Sequence, residues 1–241
     1  MRLGLACLLL ANVFGSVTLY AQPGDIKEEV DIYFYHDKPP LVIDKEKGLG
    51  QYFEIIDCLN SNSADYRFKP AYVPKPRIEH MISNNSFEAL VLGVHPNWFK
   101  DKQREKYLWS SVVLTDQDEF VSLNTKPFNY IGKDSFDGKI LGGVRGFFYK
   151  GINESVQQKL LTRVDTINEK ALLYMLLTQR IDFAIVSRST LIYYNKNKDF
   201  TNKFHISTVP HDSFTRHIML PKERTKLLNQ LNALIGKQCA F

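Results

Sequence analysis

The sequence predicts an α/β fold of two lobes, each a mostly parallel sheet flanked by helices, with two crossing strands joining the lobes. Segments typical of strands and helices alternate along the chain, and this alternation restarts near residue 124. Short continuous apolar runs such as 183–186 are typical of strands buried on both faces. No low-complexity linker precedes the restart, so we expect lobe 1 to comprise residues 24–122 plus 210–241 and lobe 2 residues 125–208.

The first lobe is predicted to contain three helices. Apolar residues at helical spacing predict a helix over 51–59, and Pro76 is tolerated in the first turn of a second helix over 75–84. A third helix over 222–237 carries an apolar stripe along one side. The strands of this lobe are expected at 28–36, 66–73 and 87–94.

The second lobe is predicted to present polar residues at the end of a buried strand. Asn168 is a suitable N-cap for a helix over 168–180, and the strand that follows stops at Ser187 and Arg188. Ligands of open α/β sheets bind at the carboxyl ends of the strands, so this end is a candidate binding site. The strands of this second half of the chain are expected at 137–146, 182–187, 203–210 and 215–222. The second of them contains the apolar run 183–186.

The N-terminal segment, residues 1–21, is predicted to be a secretory signal peptide. Arg2 precedes an apolar run from Leu3 to Phe14, and small and polar residues lead to an expected cleavage near Ala21. A buried helix is the alternative. No later apolar run approaches the ~20 residues that a membrane span needs. We therefore expect a soluble protein exported to the periplasm.

The composition limits the partners of the protein. Its 44% hydrophobic and 24% charged residues are ordinary for a soluble globular chain. The formal net charge is +5, and basic and acidic residues are interspersed without a basic block. This pattern gives little support for nucleic-acid binding and favours a small anionic ligand.

Two cysteines, Cys58 and Cys239, remain after the predicted cleavage. Export to an oxidising compartment makes a disulfide between them reasonable, with two separate buried thiols as the alternative. Cys7 lies inside the apolar run, too early for the lipid-carrying cysteine of a lipoprotein.

No catalytic motif is legible in the sequence. The six histidines lack H-x-H or H-E-x-x-H spacing, and there is no G-x-S-x-G elbow, P-loop or dinucleotide fingerprint. Cys58 lies on the apolar side of its predicted helix, a poor setting for a nucleophile. We predict a protein that is not an enzyme and that uses no cofactor and no metal.

Five segments, in this order, resemble the type 2 periplasmic binding proteins. They are "DKPPLVIDKEKGLGQYFEIIDCL", "REKYLWSS", "FDGKILGGVRG", "LLTQRIDFAIVSRS" and "MLPKERTKLLNQLNALI". The resemblance is to a divergent member of the bacterial solute-binding protein family 3, which includes amino-acid ABC transporter receptors. It implies a monomer that closes two lobes on a small solute and delivers it to an ABC-type permease. The alternatives are a sensor that signals to a membrane kinase or chemoreceptor, and an enzyme on the same fold such as a dehydratase.

The resemblance also has departures that bear on the ligand. In amino-acid receptors an Arg preceded by Thr residues meets the ligand carboxylate, and an Asp meets its ammonium. Arg104 falls near that Arg, but Phe99 and Asp101 stand in place of the Thr residues and Ser187 in place of the Asp. A buried ammonium without a counter-charge is costly, so we expect a carboxylate-bearing or otherwise anionic solute rather than a plain α-amino acid.

Candidate ligand contacts follow from these patterns. Arg77 begins a short helix, where a guanidinium and free backbone N–H groups together suit a carboxylate; an exposed helix arginine is the alternative. Arg145 and Gly146 precede aromatic residues, which either clamp a planar or anionic ligand or pack in the core. Arg188 either contacts ligand or pairs with a surface carboxylate. The full candidate set is Tyr35, Asp37, Arg77, His95, Trp98, Arg145, Gly146, Phe148, Tyr149 and Ser187.

Overall fold

The computed structural model of the protein describes residues 27–239. The predicted signal peptide, residues 1–21, lies outside the described residues. Ten strands are present in this part of the chain: β1 Glu28–Phe34, β2 Tyr66–Tyr72, β3 Leu90–Val94, β4 Leu108–Trp109, β5 Leu114–Leu123, β6 Lys139–Val144, β7 Leu161–Thr166, β8 Phe183–Ser187, β9 Phe204–Ile206 and β10 Asp212–Leu220. The α-helices there are α1 Gln51–Asn62, α2 Lys75–Ser83, α3 Ile152–Gln157, α4 Glu169–Leu177, α5 Arg188–Asn195 and α6 Thr225–Lys237.

The main path of hydrogen-bonded strands runs β2-β1-β3-β10-β5-β8-β6-β7, with β4 paired to β10 and β9 paired to β5. At one end β1 is parallel to β2 and β3, and at the other β6 is parallel to β7 and β8. The two central strands, β5 and β10, are antiparallel to each other and to their outer neighbours β8 and β3. The fold is therefore two parallel sheets joined by two antiparallel crossing strands.

The two strands that join the lobes pair with each other in a region that differs from the predicted lobe limits near residues 122 and 210. This region lies before residue 122 on β5 and after residue 210 on β10. Residues 114–118 of β5 pair with residues 212–216 of β10. From Asp118 onward β5 pairs with β8, and from His217 onward β10 pairs with β3. The reason is apolar burial, because Phe120 and Val121 belong to the core of lobe 2 and not to that of lobe 1.

Each lobe has hydrophobic packing on both faces of its sheet. In lobe 1, α1 and α6 cover one face, and Ile78 of α2 packs on the other with Phe99 and Trp109. In lobe 2, α4 supplies Leu172, Leu173 and Leu176 to one face, and a group of stacked phenylalanines fills the other. These cores fix the strand ends on which the cleft side chains are carried.

A disulfide joins α1 to the residues after α6. Cys58 and Cys239 are bonded, with their Cα atoms 5.9 Å apart and a sequence separation of 181. Both cysteines lie against the core of lobe 1, so the bond closes this lobe around the excursion of the chain into lobe 2. Within residues 27–239, no helix combines the length and the apolar composition that a membrane crossing requires.

Candidate functional site: the cleft between the lobes

The segment that follows β1 carries a lysine from lobe 1 into lobe 2. Lys38 is only 7% exposed, and its Nζ lies 2.5 Å from Oε1 of Glu169. Nζ also donates a hydrogen bond to Oγ of Ser187. That hydroxyl lies 3.0 Å from Oδ1 of Asp118 and 3.2 Å from Oε1 of Glu169. We call these four side chains the Lys38 cluster.

The three acceptor side chains of the Lys38 cluster are placed by regular structure. Glu169 is the first residue of α4, next to the N-cap Asn168, whose side chain accepts a hydrogen bond from the N–H of Ala171. Ser187 is the last residue of β8, and Asp118 is its partner in the β5–β8 ladder. The positive end of a helix dipole attracts a carboxylate, so the first position of α4 suits an acidic residue that pairs with an ammonium.

Burial dominates the electrostatics of Asp118, the second carboxyl group of the Lys38 cluster. Burial raises the pKa of the Asp118 carboxyl, and this effect exceeds the opposing effect of the Lys38 ammonium, while Glu169 adds to the rise. Lys38 and Glu169 are almost completely buried and compensate each other. Oε2 of Glu169 is buried and has no hydrogen-bond partner among the described residues.

The first turn of α5 makes further contacts across the cleft and with the crossing strands. Oγ1 of Thr190 donates to the carbonyl of Pro39 over 2.7 Å, which ties lobe 2 to lobe 1. Oγ of Ser189 donates to Oδ2 of Asp116 over 2.6 Å. Nε of Arg188 lies 2.5 Å from Oε1 of the fully buried Glu119. Arg188 thus pairs with a carboxylate, as one of its two predicted roles had it, but this carboxylate is buried rather than at the surface.

A buried arginine on β10 forms a second charged group beside the cleft. Arg216 is 1% exposed, and its Nη1 donates to the carbonyl of Gly93 over 2.8 Å. Its guanidinium carbon lies 5.2 Å from the ring centre of Trp98 and 4.9 Å from that of Phe214, distances typical of cation–π contacts. Its Nη2 lies 4.0 Å from Oδ2 of Asp116. Nε of Arg216 has no hydrogen-bond partner within residues 27–239.

Arg216 also sets the protonation of a buried histidine. Nη1 of Arg216 lies 3.3 Å from Nε2 of His36, and Nδ1 of His36 lies 3.2 Å from the hydroxyl of Tyr52. A guanidinium only donates, so Nε2 is assigned as the acceptor and Nδ1 as the protonated nitrogen. Burial, together with the charges of Arg216 and Lys38, holds the pKa of His36 well below its ordinary value of 6.5.

The His36 environment predicts a loss of stability in mild acid. The unfolded imidazole binds a proton as the pH falls through about 6.5 and the folded one does not, so the free energy of unfolding should fall. The His36→Gln variant should show a slope smaller by about 1.4 kcal/mol per pH unit in this window. Burial also lowers the pKa of His95 and His217, which therefore contribute to the slope of both proteins. Urea denaturation at pH 7, 6 and 5 measures the difference, and equal slopes would contradict the assignment.

A cavity of about 630 Å³ lies beside these groups, a volume within the usual range for small-molecule sites. Its walls come from the two crossing strands, the first turns of α5 and the residue after β3. The lining residues are His95, Thr115, Asp116, Gln117, Arg188, Ser189, Ile192, Ser213, Phe214 and Thr215. Asp116 and Arg188 place one charge of each sign on this wall.

Four of the predicted site residues come together at this cleft. His95 lines the cavity, and Trp98 packs on Phe214 with ring centres 5.1 Å apart. Tyr35 lies on the ring of His36 with centres 4.1 Å apart, and Ser187 is part of the Lys38 cluster. These residues lie at or just after the carboxyl ends of β1, β3 and β8.

Of the ten predicted site residues, His95 is the one that lines the cavity, and the six not yet described lie apart from the groups beside it. Tyr149 is 2% exposed in the core of lobe 2, and its hydroxyl accepts a hydrogen bond from the N–H of Val144, so the interpretation of the aromatics as core packing holds for this ring. Asp37 is exposed and forms an ion pair with Lys45. The remaining four are exposed on α2 or on the turn after β6: Arg77, Arg145, Gly146 and Phe148.

Asp101, in the segment after β3 that resembles a ligand-binding segment of amino-acid receptors, has a structural role. Asp101, which replaces a Thr of that pattern, accepts hydrogen bonds from the N–H groups of Glu105, Lys106 and Tyr107 and from Nε1 of Trp109. A single carboxylate therefore organises this loop. Among the described residues, no three His, Cys, Asp or Glu side chains form a group that could hold a metal ion.

Solved structures similar to this chain include two proteins with a bound amino acid. No protein-family model matches the chain, and no curated protein matches it in sequence. The arginine-bound form of truncated ArgBP from T. maritima is 14% identical, with a TM-score of 0.65 over 87% of this chain and 95% of that one. The GluR0 ligand-binding core from Nostoc punctiforme, in complex with L-glutamate, is 13% identical, with a TM-score of 0.66 over 86% and 91%. A putative L-cystine ABC transporter from Listeria monocytogenes is 17% identical, with a TM-score of 0.66 over 87% and 89%.

These matches extend over almost the whole described chain. The chain therefore has the two-lobed fold of the type 2 periplasmic binding proteins, as the five sequence segments predicted.

Proposed function

We propose that this protein is an extracytoplasmic solute-binding protein that holds a small solute in the cleft between its lobes. The observation that carries the proposal is the polar character of the contact between the lobes, where Lys38, Glu169, Ser187 and Thr190 meet beside the cavity. Buried polar groups become hydrated when lobes separate, so opening costs less than exposing an apolar interface. A solute that contacts both lobes then decides the balance between open and closed forms.

The proposed solute is small and bears a carboxylate or another anionic group. The guanidinium of Arg188 lines the cavity, and that of Arg216 lies next to it with one N–H unpaired in the described residues. Arg145 and Arg77 are exposed, and we propose that they reach the anionic group, together with Gly146 and Phe148, when the lobes close on solute. Guanidinium groups bind carboxylates in a planar, two-point geometry.

A thermal-shift screen of small carboxylates and their amide analogues tests this proposal. We expect a carboxylate to raise the melting temperature and its neutral amide to have little effect. Arg77→Ala or Arg145→Ala should weaken binding of that compound about tenfold or more by calorimetry, the scale of one charge-assisted contact. Arg180→Ala is the matched control, because this exposed arginine precedes β8 at the end away from Ser187. Full affinity in both test variants would contradict the assignment of these arginines.

Transport and sensing are both compatible with the fold. The similar structures include a putative ABC transporter protein and the ligand-binding core of GluR0. We propose delivery to an ABC-type permease as the first function and signalling to a membrane kinase or chemoreceptor as the second. Cells that lack the protein should lose uptake of the identified solute under the first, and keep uptake but lose the response to it under the second.

A further inference from the structure

The Lys38 cluster has the composition of a binding site for a primary ammonium ion. Nζ of Lys38 is surrounded by Oε1 of Glu169 and Oγ of Ser187, and Oδ1 of Asp118 lies on the far side of that hydroxyl. A primary ammonium has three N–H donors, and a carboxylate with a hydroxyl supplies the acceptors that it needs. All of these acceptors lie in lobe 2 or on the crossing strand β5, whereas the ammonium comes from lobe 1.

We propose that Lys38 is a tethered ligand, which fills an ammonium site of lobe 2 with its own side chain. In this interpretation Glu169 and Ser187 form the site, and Asp118 completes it. The lysine and the carboxylate are separated by 131 residues, so only the approach of the two lobes brings them together. Lys38 therefore holds the two lobes together through this contact.

The same contact makes Lys38 a determinant of specificity, a step that rests on the proposed function. A solute amine can enter the site only by displacing the lysine, and the displaced ammonium would then need a new partner in the cleft. A solute without an amine leaves Lys38 in place and needs only the arginines. The protein should therefore bind anions that lack an amino group in preference to amines.

Chemical rescue of the Lys38→Ala variant tests the ammonium site without any knowledge of the solute. Removal of Lys38 leaves the buried Glu169 carboxylate without a counter-charge, so this variant should melt below the wild type. n-Propylammonium matches the missing part of the side chain and should restore the loss, raising the melting temperature by about 3–6 °C at ten times its Kd. n-Propanol and tetramethylammonium, which lack the charge or the N–H donors, should not.

Two control variants separate the ammonium site from a general salt effect. Lys45→Ala removes a lysine of the same loop whose ion pair with Asp37 is exposed, and it should not respond to n-propylammonium. Lys38→Met fills the space of the lysine side chain with an uncharged chain, and this variant should not respond to n-propylammonium either. If Lys38→Ala does not fold alone, the expected result becomes recovery of its circular dichroism spectrum on addition of n-propylammonium.

Two outcomes would overturn the proposal. One is a Lys38→Ala protein that n-propylammonium neither stabilises nor refolds, and the other is an equal stabilisation of the wild type. Neither outcome bears on the carboxylate screen, which uses the wild-type chain and different compounds. The ammonium site and the solute-binding function can therefore fail separately.

Discussion

Replacement of Arg216 by alanine is expected to lower the free energy of unfolding by about 3–5 kcal/mol, the usual loss when one partner of a buried charged group is removed. Arg216 is fully buried, and its guanidinium contacts a carbonyl, an imidazole and two aromatic rings. Alanine would leave a cavity between Trp98 and Phe214 and would remove the nearest cation from the Asp116 carboxylate, 4.0 Å away. Both effects act on the crossing strands.

Urea denaturation at pH 7 measures this loss, and two variants make it interpretable. Arg224→Ala removes an arginine whose ion pair with Glu28 is partly exposed, and such pairs contribute about 0–1 kcal/mol. Arg216→Lys keeps the charge but cannot keep the planar contacts with both rings, so it should fall between the wild type and Arg216→Ala. Equal losses for Arg216→Ala and Arg224→Ala would show that Arg216 is not a structural element of the crossing.

The parts of the fold that the sequence predicted well are those whose burial leaves a clear local pattern of apolar residues. The helix around Ile55, Ile56 and Leu59 and the closing helix α6 each bury one stripe, which leaves a clear 3.6-residue period. The strands β3 and β8 are buried on both faces and read as continuous apolar runs. In each case the buried positions follow a regular spacing that can be read from the local sequence.

Several elements were not predicted because their local patterns are weak, and β7, α3 and α5 are examples. The edge strand β7 buries only Leu161 of its six residues, and α3 is a helix of only six residues. The helix α5 begins directly after Ser187 with no intervening loop, and its residues Ile192, Tyr193 and Tyr194 favour strands. Its position in the cleft, and not its propensity, explains why it is helical.

Site residues at the ends of strands could be predicted from the sequence. Site residues that come together only because the two lobes are in contact could not. Ser187, His95 and Trp98 follow strands, and their place in the cleft follows from topology. Lys38 and Glu169 are far apart in sequence, and no local pattern pairs them. The sequence did contain one signal of a charged site. Asp116 and Asp118 are two residues apart in the segment that forms the crossing strand β5, so they share one face of it.

Removal of the disulfide is expected to cost about 2–5 kcal/mol and to lower the melting temperature by roughly 5–15 °C. The bond between Cys58 and Cys239 closes a loop of 181 residues, and the restriction that a cross-link imposes on the unfolded chain grows with the length of the loop. It also fixes α6 to α1 at one edge of lobe 1, so the end of α6 should become the first part of the chain to lose protection.

The double variant Cys58→Ala, Cys239→Ala avoids a free thiol and is compared with the wild type in the presence and absence of a reducing agent. The reductant should lower the melting temperature of the wild type to that of the variant and leave the variant unchanged. Hydrogen exchange should show faster exchange along α6 and little change in α4, which lies in the other lobe. An oxidised wild type that reductant does not destabilise would contradict the stabilising role of the bond, and with it the expectation that the protein works where disulfides persist.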